Sequence, residues 1–370
     1  MDLATVFCPN PDCPARGQTG QGNIGLHSRQ EQRLICQQCR KTFTATKGTA
    51  FYRLRTPTET VSLVLTLLAH GCPLQAIVVA FGFDERTVAA WFTRAGKQAQ
   101  AVQEHLVEQP RALGQVQADE IRVKQQGKIS WMALAMTVGT RLWLAGEVSE
   151  QRDLGLVRRR LARVRRCATR VPLLVCTDGF RAYPRAIREA FRDPLPTGKP
   201  GRPHLRPWKN LRIAQVVKHY VQRRVVSVER RILAGRAAQV EKLRRRSQGG
   251  AGVLNTSYIE RLNATFRERL ASLTRRGRAL ARKRSTLEYG MYLIGAVYNF
   301  CTAHESLRVA AVVSQPAVDR TPAMAARITT HCWSVCELLS FHVPPPRWMP
   351  PTRRGRRSRA LQRVIARWCL

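Results

Sequence analysis

Val116-Gln-Ala-Asp119-Glu-Ile-Arg-Val123 sits inside a stretch, residues 115–123, that reads as a β-strand bearing an isolated pair of carboxylates in a strongly basic chain. Residues 129–138 and 142–148 read as two further strands, joined to it by short turns at Gln125-Gly127 and Gly139-Thr140. A helix over 153–166 follows, then the apolar strand Val171-Pro-Leu-Leu-Val-Cys-Thr ending at Asp178, and a helix from about Arg181. The resulting β-β-β-α-β order predicts a mixed sheet in which the ends of the first and fourth strands lie side by side. Asp119 and Asp178 then meet. Strand side chains alternate faces, so only one of Asp119 and Glu120 is expected to share that site, and Asp119 is the choice. Taken alone, Asp119 also reads as a solvent-facing strand residue, and Asp178-Gly179 as a turn.

A third carboxylate, Glu260, opens Ser257-Tyr-Ile-Glu260-Arg-Leu-Asn263. Ile259, Leu262, Phe266, Leu270 and Leu273 give this helix its apolar stripe, and Glu260, Ala264 and Arg267 follow another face. The spacing Ser257-x-x-Glu260 is also that of a capping box, in which Glu260 would only bond back to the Ser257 amide. If Asp119, Asp178 and Glu260 converge, they suit two Mg2+ ions, one activating water or a 3'-hydroxyl and the other stabilising the leaving oxygen. Arg267, two turns after Glu260, would reach the same phosphate.

The bulk of the chain points to the substrate of such chemistry. Among 370 residues, 63 Lys and Arg stand against 24 Asp and Glu, a net charge of +39, which implies a polyanion as partner. Basic clusters run from Arg158-Arg-Arg160 through Arg223-Arg224, Arg230-Arg231, Arg244-Arg-Arg246 and Arg275-Arg276 to the tail, so one extended surface is expected. The apolar content of 44% supports real cores, and no apolar run is long enough for a membrane span or secretory signal. Eleven cysteines are too few for a disulfide scaffold, which fits a reducing cytoplasm.

Four of those cysteines fall at metal-ligand spacing: Cys8 and Cys13, then Cys36-Gln-Gln-Cys39. Two short knuckles supply four soft ligands for a structural Zn2+ without a large core. Residues 57–109 then turn helical, with Val61, Val64, Leu65, Leu67 and Leu68 as a first stripe ending at His70-Gly71. A second helix over 74–81, a turn at Gly82-Phe83 and a third helix capped by Asp84, with Val88, Trp91 and Phe92 inward, give a helix-turn-helix layout. Glu85, Arg86, Ala89, Thr93, Arg94 and Lys97 would face outward, placing Arg86, Arg94 and Lys97 on DNA. The Pro- and Gly-rich loop 194–203 carries Arg202, a candidate for a narrow minor groove, although a basic surface loop has the same composition. Residues 213–228 are expected to add a fifth strand.

These motifs together resemble the DDE transposases of bacterial insertion sequences, most like the insertion-sequence-one type. The likeness rests on the Cys8 to Cys39 knuckle, Ala118-Asp119-Glu120, Thr177-Asp178-Gly-Phe-Arg-Ala-Tyr183, Tyr258-Ile-Glu260-Arg-Leu-Asn263 through Arg267, Tyr298-Asn-Phe-Cys-Thr-Ala-His304 and Thr321-Pro-Ala-Met-Ala-Ala326. It implies a ribonuclease H-like catalytic fold, Asp119, Asp178 and Glu260 as ligands of Mg2+ or Mn2+, and Arg267 where the family often has lysine. The expected architecture is an α+β multidomain chain: a zinc-binding ribbon over 1–54, a helix-turn-helix DNA-binding domain over 55–109, a ribonuclease H-like DDE catalytic domain over 110–312, and a carboxyl-terminal extension with basic tail over 313–370. Such an enzyme binds terminal inverted repeats and target double-stranded DNA as a homodimer or higher oligomer, and cuts and rejoins strands in the cytoplasm at the nucleoid. The alternatives are a catalytically inactive DNA-binding regulator or decayed transposase, and a nuclease that cuts without joining.

Overall fold

The computed structural model describes residues 3–195, 198, 203–222, 224–248, 252–274, 280–310, 316–345 and 355–368. Arg202, Arg223 and Arg275-Arg276 fall outside them. The chain divides into two compact units, Met1–Thr58 with Leu339–Leu370, and Glu59–Leu338.

In the smaller unit β1 (Ile24–Ser28), β2 (Arg33–Cys36) and β3 (Thr42–Thr44) form an antiparallel sheet in that order. Three short strands bury little. Their core is Leu34, Phe43, Ile24 and Val6 packed directly on the cysteines, so a cross-link at the cysteines has to supply what so small a core lacks.

The larger unit begins with α1 (Thr58–Ala69), α2 (Leu74–Phe81) and α3 (Glu85–Val102). Gly82 closes α2 in the left-handed conformation. Asp84 caps α3, its carboxylate accepting from the amides of Arg86 at 2.8 Å and Thr87 at 3.4 Å. Val88 and Trp91 are buried, as their spacing requires, whereas Phe92 is only partly so. The buried positions continue to Ala99 and Val102, so the carboxyl-terminal half of α3 is a packing helix.

Next come β4 (Gln115–Gln125), β5 (Lys128–Thr137), β6 (Trp143–Ser149), α4 (Leu154–Cys167), β7 (Leu173–Thr177) and α5 (Ala182–Ala190). A small antiparallel pair, β8 (Arg192–Pro194) and β9 (Leu205–Pro207), precedes β10 (Leu211–Val221) and β11 (Arg224–Ala234). The main sheet is mixed and six-stranded, ordered β11-β10-β7-β4-β5-β6. β7 is buried at every position and lies inside the sheet; β11 is exposed over most of its length and forms an edge. Where one fifth strand was expected over 213–228, a hairpin of two is found, β10 pairing antiparallel with β11.

Both faces of the sheet are covered by helices, and β4 shows how. Gln117 and Asp119 meet α7 (Ser257–Arg269), while Glu120, one residue on, meets α4 and α5. α6 (Ala237–Gln248) lies against β7 and β4. α7 stops at Arg269, earlier than the stripe through Leu273 predicts. Leu270 and Leu273 are still buried, carried by a short turn beyond the helix.

α8 (Arg284–Phe300) joins the amino-terminal helices to the sheet. A Cβ on Gly96 would lie 2.3 Å from Tyr289, and one on Gly295 would lie 2.2 Å from the Trp143 ring, so α3 and β6 both approach α8 closer than alanine permits. Asn299 Oδ1 accepts from the Trp143 amide at 2.9 Å, and its Nδ2 donates to the Trp143 carbonyl at 2.9 Å and to Gln103 Oε1 at 3.1 Å. The amide and carbonyl of Trp143, at the start of the edge strand β6, are thereby satisfied by a side chain. Beyond α8 lie α9 (Pro322–Ala325), α10 (Val335–Ser340) and α11 (Arg359–Trp368). No helix among the described residues is long and apolar enough to cross a membrane.

Candidate active site and metal centres

β4 and β7 run parallel with Ala118 opposite Thr177, so Asp119 and Asp178 each come one residue after the last paired couple. Oxygens of Asp119, Glu120 and Asp178 all lie within 4.8 Å of one another. Glu120 therefore joins the cluster that strand alternation assigned to Asp119 and Asp178 alone. Alternation fixes the direction of Cβ, and at the end of β7 no further strand separates the two faces of the sheet. A long glutamate can then approach Asp178 from the opposite side.

The three carboxylates differ in what holds them. Glu120 is spoken for at both oxygens: Oε1 accepts from Arg160 at 3.0 Å and from the Tyr183 hydroxyl, and Oε2 accepts from Arg152 at 2.9 Å. Arg160 and Glu120 both have fully buried side chains. Asp119 accepts from the Glu120 amide at 2.8 Å on one oxygen and from Asn263 Nδ2 at 2.8 Å on the other. Asp178 accepts from the Phe180 amide at 3.1 Å and from Arg152 at 2.9 Å. Arg152 also stacks on Phe180, 4.3 Å from the ring centroid, and so bridges two carboxylates from a fixed perch.

Burial raises the Asp119 carboxyl to about 6; the charges of Glu120 and Asp178 push the same way, opposed by the Glu120 amide and Arg160. Asp178 is raised too, first by burial and then by the charge of Glu120, against the Phe180 amide and Arg152. Partly desolvated like charges at this separation call for a cation. Asn263 Oδ1, buried with no hydrogen-bond partner beside Asp119, offers a further acceptor oxygen. A hard divalent ion taking one or two carboxylates and completing its shell with water and phosphate suits this donor set.

Glu260 stands on α7 one turn before Asn263 but outside the cluster. Its Oε1 accepts from Lys218 Nζ of β10 at 2.5 Å and from Thr256 Oγ1 at 2.7 Å. The capping box is not formed: Ser257 lies inside the helix, and its amide donates to Asn255 Oδ1 at 3.2 Å. Arg267 is half-buried on the same helix.

Among residues assigned to DNA, Arg86 and Lys97 are exposed on α3, with Lys97 Nζ 5.6 Å from the Tyr289 ring centroid. Arg94 and Thr93, expected outward, are half-buried because α3 continues into the packed interior. The basic clusters are likewise not all surface. Arg160 and Arg244 are buried, and Arg163 pairs with Glu108 and Glu104. Arg160 falls on the same face of α4 as Leu156, Val157, Leu161 and Val164, so helical period marked it as inward while its charge argued for solvent. Nothing comparable flagged Arg152, and Asn263 was marked only as the end of the motif that opens at Tyr258.

The four cysteines of the smaller unit have their sulfurs within 4.8 Å of one another, with Cys8 to Cys39 at 3.6 Å and Cys13 to Cys36 at 3.8 Å. A tetrahedron with ligand bonds of about 2.3 Å has sulfurs about 3.8 Å apart, so the group could hold one metal ion. Asn23 Nδ2 reaches Cys36 Sγ at 3.7 Å. Burial raises the Cys8 thiol, whereas at Cys39 the opposing effect of burial is overcome by the Lys41 amide, Asn10 and neighbouring thiols, bringing it down to about 7. A lowered thiol at one corner of the group favours metal capture, because thiolate is the form that binds.

Residues 114–241 match a family model described as a DDE domain, of the IS240 transposase group. The matched segment contains Asp119 and Asp178 and ends before Glu260. The grouping differs from the insertion-sequence-one type named on the motifs. No curated protein matches the chain.

Proposed function

Proceeding from a DDE domain of insertion-sequence transposases over residues 114–241, we propose that the chain is a DNA transposase that binds the terminal inverted repeats of its element and carries out Mg2+-dependent strand cleavage and transfer. The observation that carries this reading is the side-by-side placement of Asp119, within β4, and Asp178, just past the end of parallel β7, partly desolvated and close, in a chain of net charge +39. Asp119 and Asp178 are the ligands, and Glu260 is the third when its Lys218 partner is drawn to a DNA phosphate. Bound Mg2+ would supply a Lewis acid for the scissile phosphate and the attacking hydroxyl. Glu120 is a positioning residue, its charge committed to Arg160 and Arg152. Arg152 and Arg267 are the phosphate contacts of this reading.

The remaining assignments extend this reading. In this reading the six-stranded sheet, with helices on both faces, is a ribonuclease H-like fold enlarged by β11. α2 and α3 act as a helix-turn-helix, with Arg86 and Lys97 on DNA and Arg94 supporting them; Arg202 contacts DNA from its loop. Cys8, Cys13, Cys36 and Cys39 hold a structural Zn2+, and two DNA ends require a dimer or larger assembly. A second reading, a DNA-binding protein that no longer cuts, is favoured by the Glu260–Lys218 ion pair, which engages Glu260 outside the Asp119–Asp178 cluster.

Transposition from a donor plasmid carrying the gene with its native flanks separates the two readings. Joined products from wild type and none from Asp119→Ala, Asp178→Ala or Glu260→Ala are expected of the transposase. A wild type that binds its flanks and yields no joined product would overturn it in favour of the second reading.

A further inference from the structure

α7 carries two functional sides. At 100° per residue, Tyr258, Arg261 and Arg269 fall within an arc of about 80°, while Glu260, Asn263 and Arg267 lie across the helix. The first side faces the β5–β6 turn and the segment after α8. Arg141, in that turn, holds a left-handed backbone angle of +59° and places its guanidinium over the Tyr258 ring, 4.0 Å from the centroid. Arg269 donates to Thr302 Oγ1 at 3.2 Å. His304 stacks edge-on against buried Tyr298 at 4.5 Å, its Nε2 buried with no hydrogen-bond partner.

These cations lack acidic partners. Arg141, Arg261 and Arg269 make no ion pair among the described residues, although acidic side chains pair with arginines on α4, α6 and β11. Glu268 reaches Arg269 electrostatically but is exposed and forms no bridge to it. Burial lowers the pKa of both Arg141 and Arg269, and Arg261 adds to the effect at Arg141. His304 is pushed down to about 4 by burial and by the charges of Arg269 and Arg141. Half-buried guanidinium groups such as Arg141 and Arg269, opposed only by the exposed Glu268, are costly unless an anion completes the site. Planar, weakly hydrated arginines set on tyrosine faces suit a phosphodiester.

We propose that Arg141, Arg261 and Arg269, with Tyr258 and His304, form a phosphate-binding site for the backbone of duplex DNA, on the side of α7 away from the carboxylate cluster. It rests on the DNA reading of the chain and adds a second, sequence-independent contact. The site holds the duplex while α7's other side meets the reacting strand.

Binding of labelled duplexes of about 20 bp, one with an element end and one scrambled, is measured by fluorescence anisotropy between about 50 and 200 mM salt without Mg2+, using the full chain. Each lost phosphate contact lowers the slope of log affinity against log salt by about 0.9, so Arg261→Gln/Arg269→Gln loses about 1.8 on both duplexes. The DNA-free double variant melts no lower than wild type, because two uncompensated charges are removed. Arg261→Gln alone, at an exposed position, loses about 0.9 even if the double variant folds poorly. An unchanged slope overturns this proposal and leaves the DNA reading intact; a wild type that binds neither duplex overturns both.

Discussion

Glu120→Gln separates a positioning carboxylate from a metal ligand. The substitution keeps the shape and one acceptor oxygen but leaves the Arg160 guanidinium, fully buried and otherwise bonded to the Asp119 and Leu134 carbonyls and the Tyr183 hydroxyl, without its counter-charge. Breaking a buried pair on one side costs about 3–5 kcal/mol. At a urea slope of about 3 kcal/mol/M the unfolding midpoint of the larger unit falls by about 1 M or more. Asp178→Asn has the opposite effect on the same cluster: it removes a half-exposed charge whose carboxyl is already raised by burial and by Glu120, so the midpoint stays or rises. Urea titration of the two variants beside wild type, followed by tryptophan fluorescence, reads both. A Glu120→Gln protein as stable as wild type, but unable to bind Mn2+, would make Glu120 a ligand and not a positioning residue.

Three further outcomes follow from the same geometry. Gly295→Ala, whose Cβ would lie 2.2 Å from the buried Trp143 ring, should cost about 1–3 kcal/mol in the same titration; no change would mean that α8 shifts freely on β6. Cys13→Ser should release about one Zn2+ per chain by elemental analysis and unfold the smaller unit first, since its core is built on the sulfurs; full zinc retention would remove Cys13 from the ligands. His304 is held down to about 4 in the folded chain against about 6.5 unfolded. Its contribution is complete above pH about 6.5 and is lost as pH falls toward 4, because the unfolded state takes up the proton first. His304→Gln should flatten that part of the stability profile, and an unaltered profile would contradict the burial of a neutral ring.

Legibility in the sequence followed the strength of local chemistry. The meeting of Asp119 and Asp178 could be read because β7 is an apolar run, β4 mixes apolar and polar residues between turn signals, and the order of the elements in the chain makes the two strands parallel neighbours. The cysteine group could be read because metal geometry constrains spacing directly. The β10–β11 hairpin could not: its turn uses Gln222 at a φ of 46°, where a glycine or asparagine would have signalled a reversal. Arg160 and Glu120 were obscured for a different reason. A buried ion pair is written in residues that composition assigns to the surface, and only its partner, distant in sequence, makes it affordable. Asn299 was visible as part of a motif, but its task, satisfying the Trp143 amide and carbonyl at the start of β6, appears only once Trp143 lies beside it.

On the proposed function, Asp119 and Asp178 bind the metal that drives strand transfer. This role is tested most directly by incubating the purified full chain with a pre-cut end duplex and a plasmid target in Mg2+, alongside Asp119→Asn and Asp178→Asn. Joined product is expected from wild type alone, none without divalent metal, and duplex affinity is preserved in both variants. Joined product from either variant at the wild-type rate would contradict that role.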